Sequence, residues 1–371
     1  MPSERHNFEF TKMFSNQKDL KYCSVSKKSS RTLVSLIVQG KHAQAVSRCQ
    51  THPEEVSKFY QVDGAMNNLH FTMLHYMLCD MGSQAMGDDQ YQLIKAMLEI
   101  NPNLPSMTCK NNDDKQAAAV VPSSSSALHV HNQEVQNNVG FTPLHCLIYA
   151  LFGGLSLVKQ SKYLAKILSL MLKVDPHAAT VSNQSGLLPL HIAITSCRHS
   201  RSLIREHPRR FKKSFKKMLD AHPNACLQRI TCGRAAGCLP LHLLCMNAAT
   251  FGEASHFAAD LIFSEYPDAV SQRSDEDGVF PLHSLCTSLA SSMPPVGVGE
   301  NQQNHHRNAV DPDVFGLIMR SSPVGVIFGK DANGKSPIDI LFDTGHFATA
   351  TPYFLQMLRP HAILERLLMF R

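Results

Sequence analysis

One short phrase recurs along this chain and constrains its fold more than any other sequence feature. Its clearest copy reads Gly140-Phe141-Thr142-Pro143-Leu144-His145. Proline at the first helical position loses no hydrogen bond, because that N–H has no acceptor inside a helix. The upstream glycine suits a turn that needs a positive φ. The phrase therefore predicts a turn followed by a helix start, and five weaker copies carry matching residues: His75, Pro189 and His191, Pro240 and His242, Pro281 and His283, and Pro337.

The residues after each copy have the spacing of one helical face. After the clearest copy the apolar positions are Leu144, Leu147 and Ile148, and the same i, i+3, i+4 spacing follows the other copies. Between copies, apolar stretches end where a proline stops the helix: at Pro102, Pro176, Pro223, Pro267 and Pro323. The predicted unit is a turn, a helix, a second helix and an exit marked by proline.

The phrase resembles the signature of the ankyrin repeat family, because Thr142-Pro143-Leu144-His145 matches four signature positions. The resemblance covers roughly residues 60–345. It implies an all-α fold, an ankyrin-like helical solenoid of paired antiparallel helices joined by short β-turns, with about six to seven units. It also implies that the histidines of the phrase make local hydrogen bonds.

The chain departs from this family in two respects. Leu188, Leu239 and Phe280 replace the threonine whose hydroxyl caps the helix. The copies are also 41 to 70 residues apart, whereas the family repeats about every 33 residues. Both features describe a divergent array with extended helices and loops. Another helical solenoid, such as the armadillo type, is an alternative, but it gives no reason for glycine followed by Pro-Leu-His.

Composition divides the chain into a tail and one array. Residues 1–30 are polar and mildly basic, which predicts a disordered tail, and residues 31–371 are predicted to form a single array that starts with a cap unit at 31–59. The polar stretches 109–138 and 291–311 are predicted to be flexible insertions, and capping helices are predicted over 353–371. No secretory signal or membrane-spanning segment is visible, so an intracellular protein of the cytoplasm, the nucleus or both is expected.

The 11 cysteines and 20 histidines do not indicate a metal site or a cofactor. No C-x-x-C pair is present, and the phrase histidines belong to different units, where they would form a row rather than a tetrahedral cluster. Cys146, Cys245 and Cys286 are predicted to be reduced core residues. The chain has no nucleophile elbow, P-loop or dinucleotide fingerprint after a strand. A non-enzymatic protein without a small-molecule substrate is therefore expected.

Positive charge is concentrated in residues 198–217, which hold nine basic residues and one acidic residue, although the whole chain has a net charge of +6. On a helix that begins at Pro208, the apolar residues share one arc: Phe211, Phe215, Met218 and Leu219. The opposite arc is basic: Arg209, Arg210, Lys212, Lys213, Lys216 and Lys217. A solvated surface helix has this pattern, and so does a helix that docks on an acidic or phosphorylated segment, nucleic acid or an anionic membrane.

A helical solenoid presents an extended concave surface made of inner helices and turn tips. We therefore expect a scaffold or adaptor that binds another protein through this face. The turn-tip residues predicted to contact the partner are Asn183, Gln184, Asp275, Glu276, Asp277, Asp331 and Asn333. Electrostatic docking of the basic stretch 198–217 on nucleic acid or an anionic membrane is one alternative function, and an enzyme with a pocket between repeats is another.

Overall fold

The computed structural model describes residues 32–61, 69–80, 86–111, 140–152, 161–197, 207–233, 235–251, 254–275, 277–292 and 312–344, and these are mostly helical. Some predictions lie outside the described residues. They concern residues 1–30 and 353–371, nearly all of the two insertions, Glu276, and the basic residues Arg198, Arg201 and Arg205.

The chain divides into two compact units. Unit 1 comprises Met1–Ala193 and Asp220–His222, and unit 2 comprises Ile194–Leu219 and Pro223–Arg371. The single array over residues 31–371 stays a prediction, and each unit is described separately below.

Helices make up most of both units, and along the chain they alternate between two sets, called first and second helices. The first helices, which begin at the recurring phrase except for α1, are α1 (Leu33–Val38), α3 (Met73–Asp80), α5 (Pro143–Phe152), α7 (Pro189–Ser196), α9 (Pro240–Met246), α12 (Pro281–Ser292) and α15 (Pro337–Asp343). The second helices are α2 (His42–Thr51), α4 (Asp88–Ile100), α6 (Ser161–Val174), α8 (Pro208–Ala221), α11 (Ala254–Glu265) and α13 (Pro312–Ser321). Two short helices, α10 (Ala248–Phe251) and α14 (Val324–Ile327), lie between them. In the part of the chain that the structure describes, no helix combines the length and apolar character needed to cross a bilayer.

Proline ends the second helices where the sequence predicts. The residue before each proline leaves the helical region, with φ and ψ of −129° and 95° at Asn101, −137° and 84° at Asp175, and −144° and 82° at Tyr266. The proline ring excludes the helical conformation at that position. A short 3₁₀ turn follows, which the sequence analysis did not predict: Pro53–Glu55, Leu104–Ser106, Pro176–Thr180, Pro223–Leu227 and Pro267–Ser271.

Unit 1 packs its helices in two layers. The first helices α3 and α5 contact each other, and the second helices α2, α4 and α6 form a neighbouring row. The pairs α1 with α2 and α5 with α6 join the layers. The core between them consists of fully buried side chains such as Leu93, Met97, Leu164 and Ile167.

Unit 2 repeats this arrangement. The first helices α9, α12 and α15 contact one another in order, and the second helices α11 and α13 lie side by side. The pairs α9 with α11 and α12 with α13 connect the two rows. Leu241, Leu285, Ile262 and Ile318 are fully buried between them.

Unit 1 also contains a small antiparallel sheet, which was not predicted from the sequence. Its order is β1 (Phe59–Gln61), β2 (Leu69–Thr72) and β3 (Lys110–Asn111), with Tyr60 opposite Phe71 and His70 opposite Lys110. β3 lies at the start of the segment 109–138 that was predicted to be a flexible insertion. Backbone pairing therefore links β2, directly before α3, to a strand on either side of it in the sequence.

The N-terminal helix pair is joined by Gly40 at a φ of 71°. The Thr32 side chain caps α1 by accepting from the Ser35 N–H. Buried Glu55 accepts from the Leu33 N–H at 2.8 Å and pairs with Arg48, whose hydrogen bond lowers the pKa of the Glu55 carboxyl. This charged pair holds α1, α2 and the following 3₁₀ turn together.

Candidate interaction site

The phrase histidines are buried and bond to the start of their own helix. In each case the backbone N–H three residues earlier donates to Nδ1, at 3.0–3.2 Å: from Thr72 to His75, Thr142 to His145, Leu188 to His191, Leu239 to His242 and Phe280 to His283. The histidine thus satisfies this N–H whether or not a hydroxyl is present. This explains how the phrase tolerates leucine or phenylalanine in place of threonine.

Four of these histidines also bond to the next copy of the phrase. Their Nε2 atoms lie 3.0–3.1 Å from a carbonyl oxygen: His75 from Phe141, His145 from Leu187, His242 from Val279 and His283 from Lys335. Because Nδ1 accepts, the neutral ring carries its proton on Nε2 and donates it. Each carbonyl also accepts a turn N–H at 2.8–3.0 Å, from Cys109, Asn183, Ser274 and Asp331. One oxygen thus fixes a histidine of one copy to the turn of the next.

Burial keeps these imidazoles neutral. It lowers the pKa of His75 to about 3 and the pKa of both His145 and His242 to about 4. The pKa of His283 is lowered by burial as well. A proton added to Nδ1 would face a backbone donor, so the hydrogen bonds described above require the neutral ring.

Two arginines connect consecutive turns of unit 2. Arg229 Nη1 donates to the carbonyl oxygens of Gly237 at 2.6 Å and Arg273 at 2.7 Å. Arg273 Nη1 repeats the arrangement by donating to Gly278 at 3.3 Å and Lys330 at 2.8 Å, and its guanidinium lies 4.5 Å from the ring centre of Phe280. Neither residue was predicted from the sequence. Arg229 lies 8 residues before Gly237 and Arg273 lies 5 residues before Gly278, so an alignment of the turns on these glycines does not pair the two arginines.

Close turn-to-turn contact explains two of the glycines. Gly237 has a φ of 73°, and a Cβ there would overlap the backbone nitrogen of Asp275. Gly140 has a φ of 82°, and its Cβ would lie 3.0 Å from the backbone nitrogen of Gln184. In unit 2 the Ala332 N–H also donates to the Asp277 carbonyl at 2.9 Å. Neighbouring turns within each unit therefore lie against one another.

The residues predicted to bind a partner at these turns have different environments. Asn183 is buried, and its Oδ1 accepts the N–H groups of Ser185 and Leu187, so it stabilises the turn instead of facing a partner. In the same way, Asp331 Oδ1 accepts the N–H groups of Asn333 and Lys335. Four of the predicted residues are exposed: Gln184, Asp275, Asp277 and Asn333. Asp275 forms an ion pair with Arg229 at 3.3 Å.

The first helices have few side chains to offer a ligand. All ten residues of α5 are buried, and in α9 the residues Pro240–Cys245 are buried as well. A helix that is buried on every side belongs to the core. This differs from the expectation that inner helices line a binding face, and it leaves the exposed turns and the second helices as accessible surface.

The basic helix forms as the sequence predicts. The residues that α8 buries are Phe211, Ser214, Phe215, Met218 and Leu219. Arg209, Lys212, Lys213 and Lys216 are exposed, and Arg210 and Lys217 are half-buried. Phe211 contacts Phe251 edge-on with ring centres 6.1 Å apart, and Lys212 Nζ lies 4.9 Å from the ring centre of Phe257. The apolar arc therefore faces the core of unit 2, and the basic arc faces solvent.

The predicted core cysteines lie in the interior as reduced thiols. Cys146, Cys245 and Cys286 are all buried and free. Burial raises the pKa of the Cys245 and Cys286 thiols well above the usual range. Among the residues that the structure describes, no three histidine, cysteine or acidic side chains are placed to hold a metal ion.

No known protein-family model matches this chain, and no curated protein matches it either. Its function is therefore inferred from the geometry described above.

Proposed function

We propose that this protein is a non-enzymatic scaffold or adaptor, built as a divergent ankyrin-like array of helix pairs, that binds another protein. The observation that supports this most is the repeated linkage between copies of the phrase. At four places a histidine Nε2 and a turn N–H meet on one carbonyl oxygen. Like units joined in the same way form a row, and such rows present extended surfaces suited to a protein ligand.

The exposed turns of unit 2 are the best-placed part of this surface. Asp277 and Ala332 lie on neighbouring turns, are exposed, and are held together by the backbone hydrogen bond between them. Arg229 and Arg273 hold these turns in place by donating hydrogen bonds to four carbonyl oxygens. A rigid set of exposed loops needs little ordering when a partner binds, which favours affinity.

Affinity purification with substituted turns tests the proposal. The full chain is compared with a variant that carries Asp277→Arg and Ala332→Arg, and bound proteins are identified by mass spectrometry. A matched control carries Asp260→Arg and Gln92→Arg, which make the same change in charge at exposed positions on the second helices α11 and α4. We expect a partner that the full chain and the control retain and the turn variant loses.

Equal recovery with all three proteins would contradict binding at these turns. Thermal unfolding of the two variants provides the folding control. Because surface substitutions away from packed features change the free energy of unfolding by about 0.5 kcal/mol or less, both variants should melt near the parent chain.

The two alternative functions have less support. The apolar arc of α8 is buried, so this helix has neither aromatic platforms for unpaired bases nor an apolar face to insert into a bilayer. General acid–base catalysis by histidine works best with a ring that titrates near neutrality. Four phrase histidines, His75, His145, His242 and His283, use both ring nitrogens in structural bonds. Burial raises the pKa of the Cys245 and Cys286 thiols, which disfavours the nucleophilic thiolate.

A further inference from the structure

We propose that the exposed arc of α8 is a docking site for an extended, carboxylate-rich segment of a partner protein. This inference rests on the proposed scaffold function and names the chemistry of one part of its ligand. It starts from the charge of the helix: Pro208–Ala221 contains six basic residues and one acidic residue, Asp220.

The positive charge is compact. The six basic residues fall between Arg209 and Lys217, which is about 12 Å of helix at 1.5 Å per residue. With the buried residues occupying the other side, the basic residues share an arc of about 160°. A peptide in extended conformation spans about 3.4 Å per residue, so four or five residues cover this length. A short segment with several carboxylates matches the site in both length and charge.

Two features of this charge order are unfavourable for the helix itself. The first turn has no acidic residue and contains Arg209 and Arg210, although the positive end of the helix dipole disfavours cations there. Lys212 with Lys216 and Lys213 with Lys217 are like-charged pairs at i, i+4, which are also unfavourable. A surface helix selected only for solubility would mix the two signs. A bound anionic segment would relieve both unfavourable terms.

The surroundings favour a carboxylate segment over other polyanions. Phe211, Phe215, Met218 and Leu219 are buried, so the exposed arc provides charge without stacking or insertion. Outside residues 198–217 the chain has a small negative net charge, which disfavours wide polyanions such as a duplex or a membrane surface. Because a lysine ammonium binds as a point charge, the four lysines among the six basic residues can each meet one carboxylate of an extended segment.

Direct binding measurements with the full chain test this site. The probe is a fluorescently labelled 12-residue peptide with six glutamates, and the reference peptide has glutamine at those six positions. We expect saturable binding of the glutamate peptide, at least about tenfold weaker binding of the glutamine peptide, and about a tenfold loss of affinity between ~50 and ~200 mM salt.

The substituted protein carries Arg209→Glu, Lys213→Glu and Lys216→Glu, all at exposed positions of α8. The matched control carries Lys162→Glu, Lys173→Glu and Lys330→Glu, which are also exposed but lie elsewhere. We expect the α8 variant to bind the glutamate peptide at least about tenfold more weakly and the control to bind it within about twofold of the parent. Equal weakening in both variants would mean non-specific attraction and would overturn the proposal.

Three further probes distinguish the other polyanions: a 20-base-pair DNA duplex, phosphatidylserine vesicles, and the same peptide with phosphoserine in place of glutamate. A preference for any of these over the glutamate peptide would overturn the carboxylate assignment. The scaffold function is tested separately, by whether the variant with Asp277→Arg and Ala332→Arg loses a partner that the full chain retains. A partner that requires those turns but is retained by the α8 variant would leave the scaffold in place and remove only this inference.

Discussion

A single histidine side chain connects two copies of the recurring phrase. In His145, Nδ1 accepts from the Thr142 N–H at 3.1 Å, while Nε2 donates to the Leu187 carbonyl at 3.0 Å. The first bond satisfies the helix start, and the second bond reaches 42 residues along the chain. The side chain is fully buried, so water cannot replace either bond.

Substitution of His145 by alanine should therefore destabilise the protein. The change leaves the Thr142 N–H without its ring partner, removes one of two bonds to Leu187 and opens a cavity, and we expect a loss of about 2–4 kcal/mol in the free energy of unfolding. Urea denaturation measures this loss. The control His177→Ala removes an exposed ring and should cost about 0.5 kcal/mol or less. Similar losses for the two variants would contradict the role given to His145.

A comparison of alanine substitutions at two glycines separates the cost of backbone strain from the cost of close contact. Gly233 and Gly237 both have positive φ, 88° and 73°, but a Cβ at Gly233 meets nothing within 4 Å, whereas a Cβ at Gly237 overlaps Asp275. Gly233→Ala should cost about 1 kcal/mol from the left-handed conformation alone. Gly237→Ala should cost at least about 1 kcal/mol more, because neighbouring backbones must move apart. Equal melting temperatures for the two variants would show that the turns are not in tight contact.

At the scale of helices, the sequence predicted positions well and connections less well. Proline acts locally, both at the first position of helices such as α5 and α9 and directly after second helices, so the ends of α4, α6 and α11 followed from the sequence. The 3₁₀ turns after those prolines and the strands β1 to β3 were not predicted from the sequence. The strands depend on pairing between residues that are distant along the chain, Tyr60 with Phe71 and His70 with Lys110. Arg229 was missed for the same reason, since its partner Arg273 lies 44 residues away.

The charge order of α8 gives a test at this scale that does not need a ligand. Arg209→Glu places an acid in the first turn and should stabilise the protein by about 0.3–1 kcal/mol through the helix dipole. Arg320 lies in the last turn of α13, where a cation is favourable, so Arg320→Glu should destabilise by a similar amount. Urea denaturation at low salt measures both changes. A loss of stability for Arg209→Glu would show that the basic residues stabilise the helix after all.

For the whole molecule, the buried histidines should make folding stability depend on pH. In the unfolded chain a histidine has a pKa near 6.5, whereas burial lowers the folded pKa to about 3 for His75 and about 4 for His145 and His242. Below pH 6.5 the unfolded chain binds more protons than the folded chain. The contribution of these histidines to the free energy of unfolding is therefore fully present above about pH 6.5. It falls by about 1.4 kcal/mol per pH unit for each such histidine as the pH decreases toward 4.

Urea denaturation between pH 7 and pH 4.5 checks this dependence above the range where most carboxylates titrate. The His145→Ala variant should show a slope that is shallower by the contribution of one histidine. A slope unchanged by that substitution would mean that other groups cause the pH dependence. The repeated phrase made these histidines visible in the sequence, but their burial and the carbonyl that each one meets could be seen only in the folded chain.

The hydrogen bonds between Cys109 and residues 140–141 have a consequence for how the chain can be altered. The Cys109 N–H donates to the Phe141 carbonyl at 2.8 Å, and the Gly140 N–H donates to the Cys109 carbonyl at 3.1 Å, so the residues that flank the segment 110–139 are held together. Closing a longer loop between fixed ends adds little entropic penalty. Evolution could lengthen or replace this segment without disturbing the helices on either side. For the same reason, a fluorescent reporter or an epitope inserted there should leave the host protein folded.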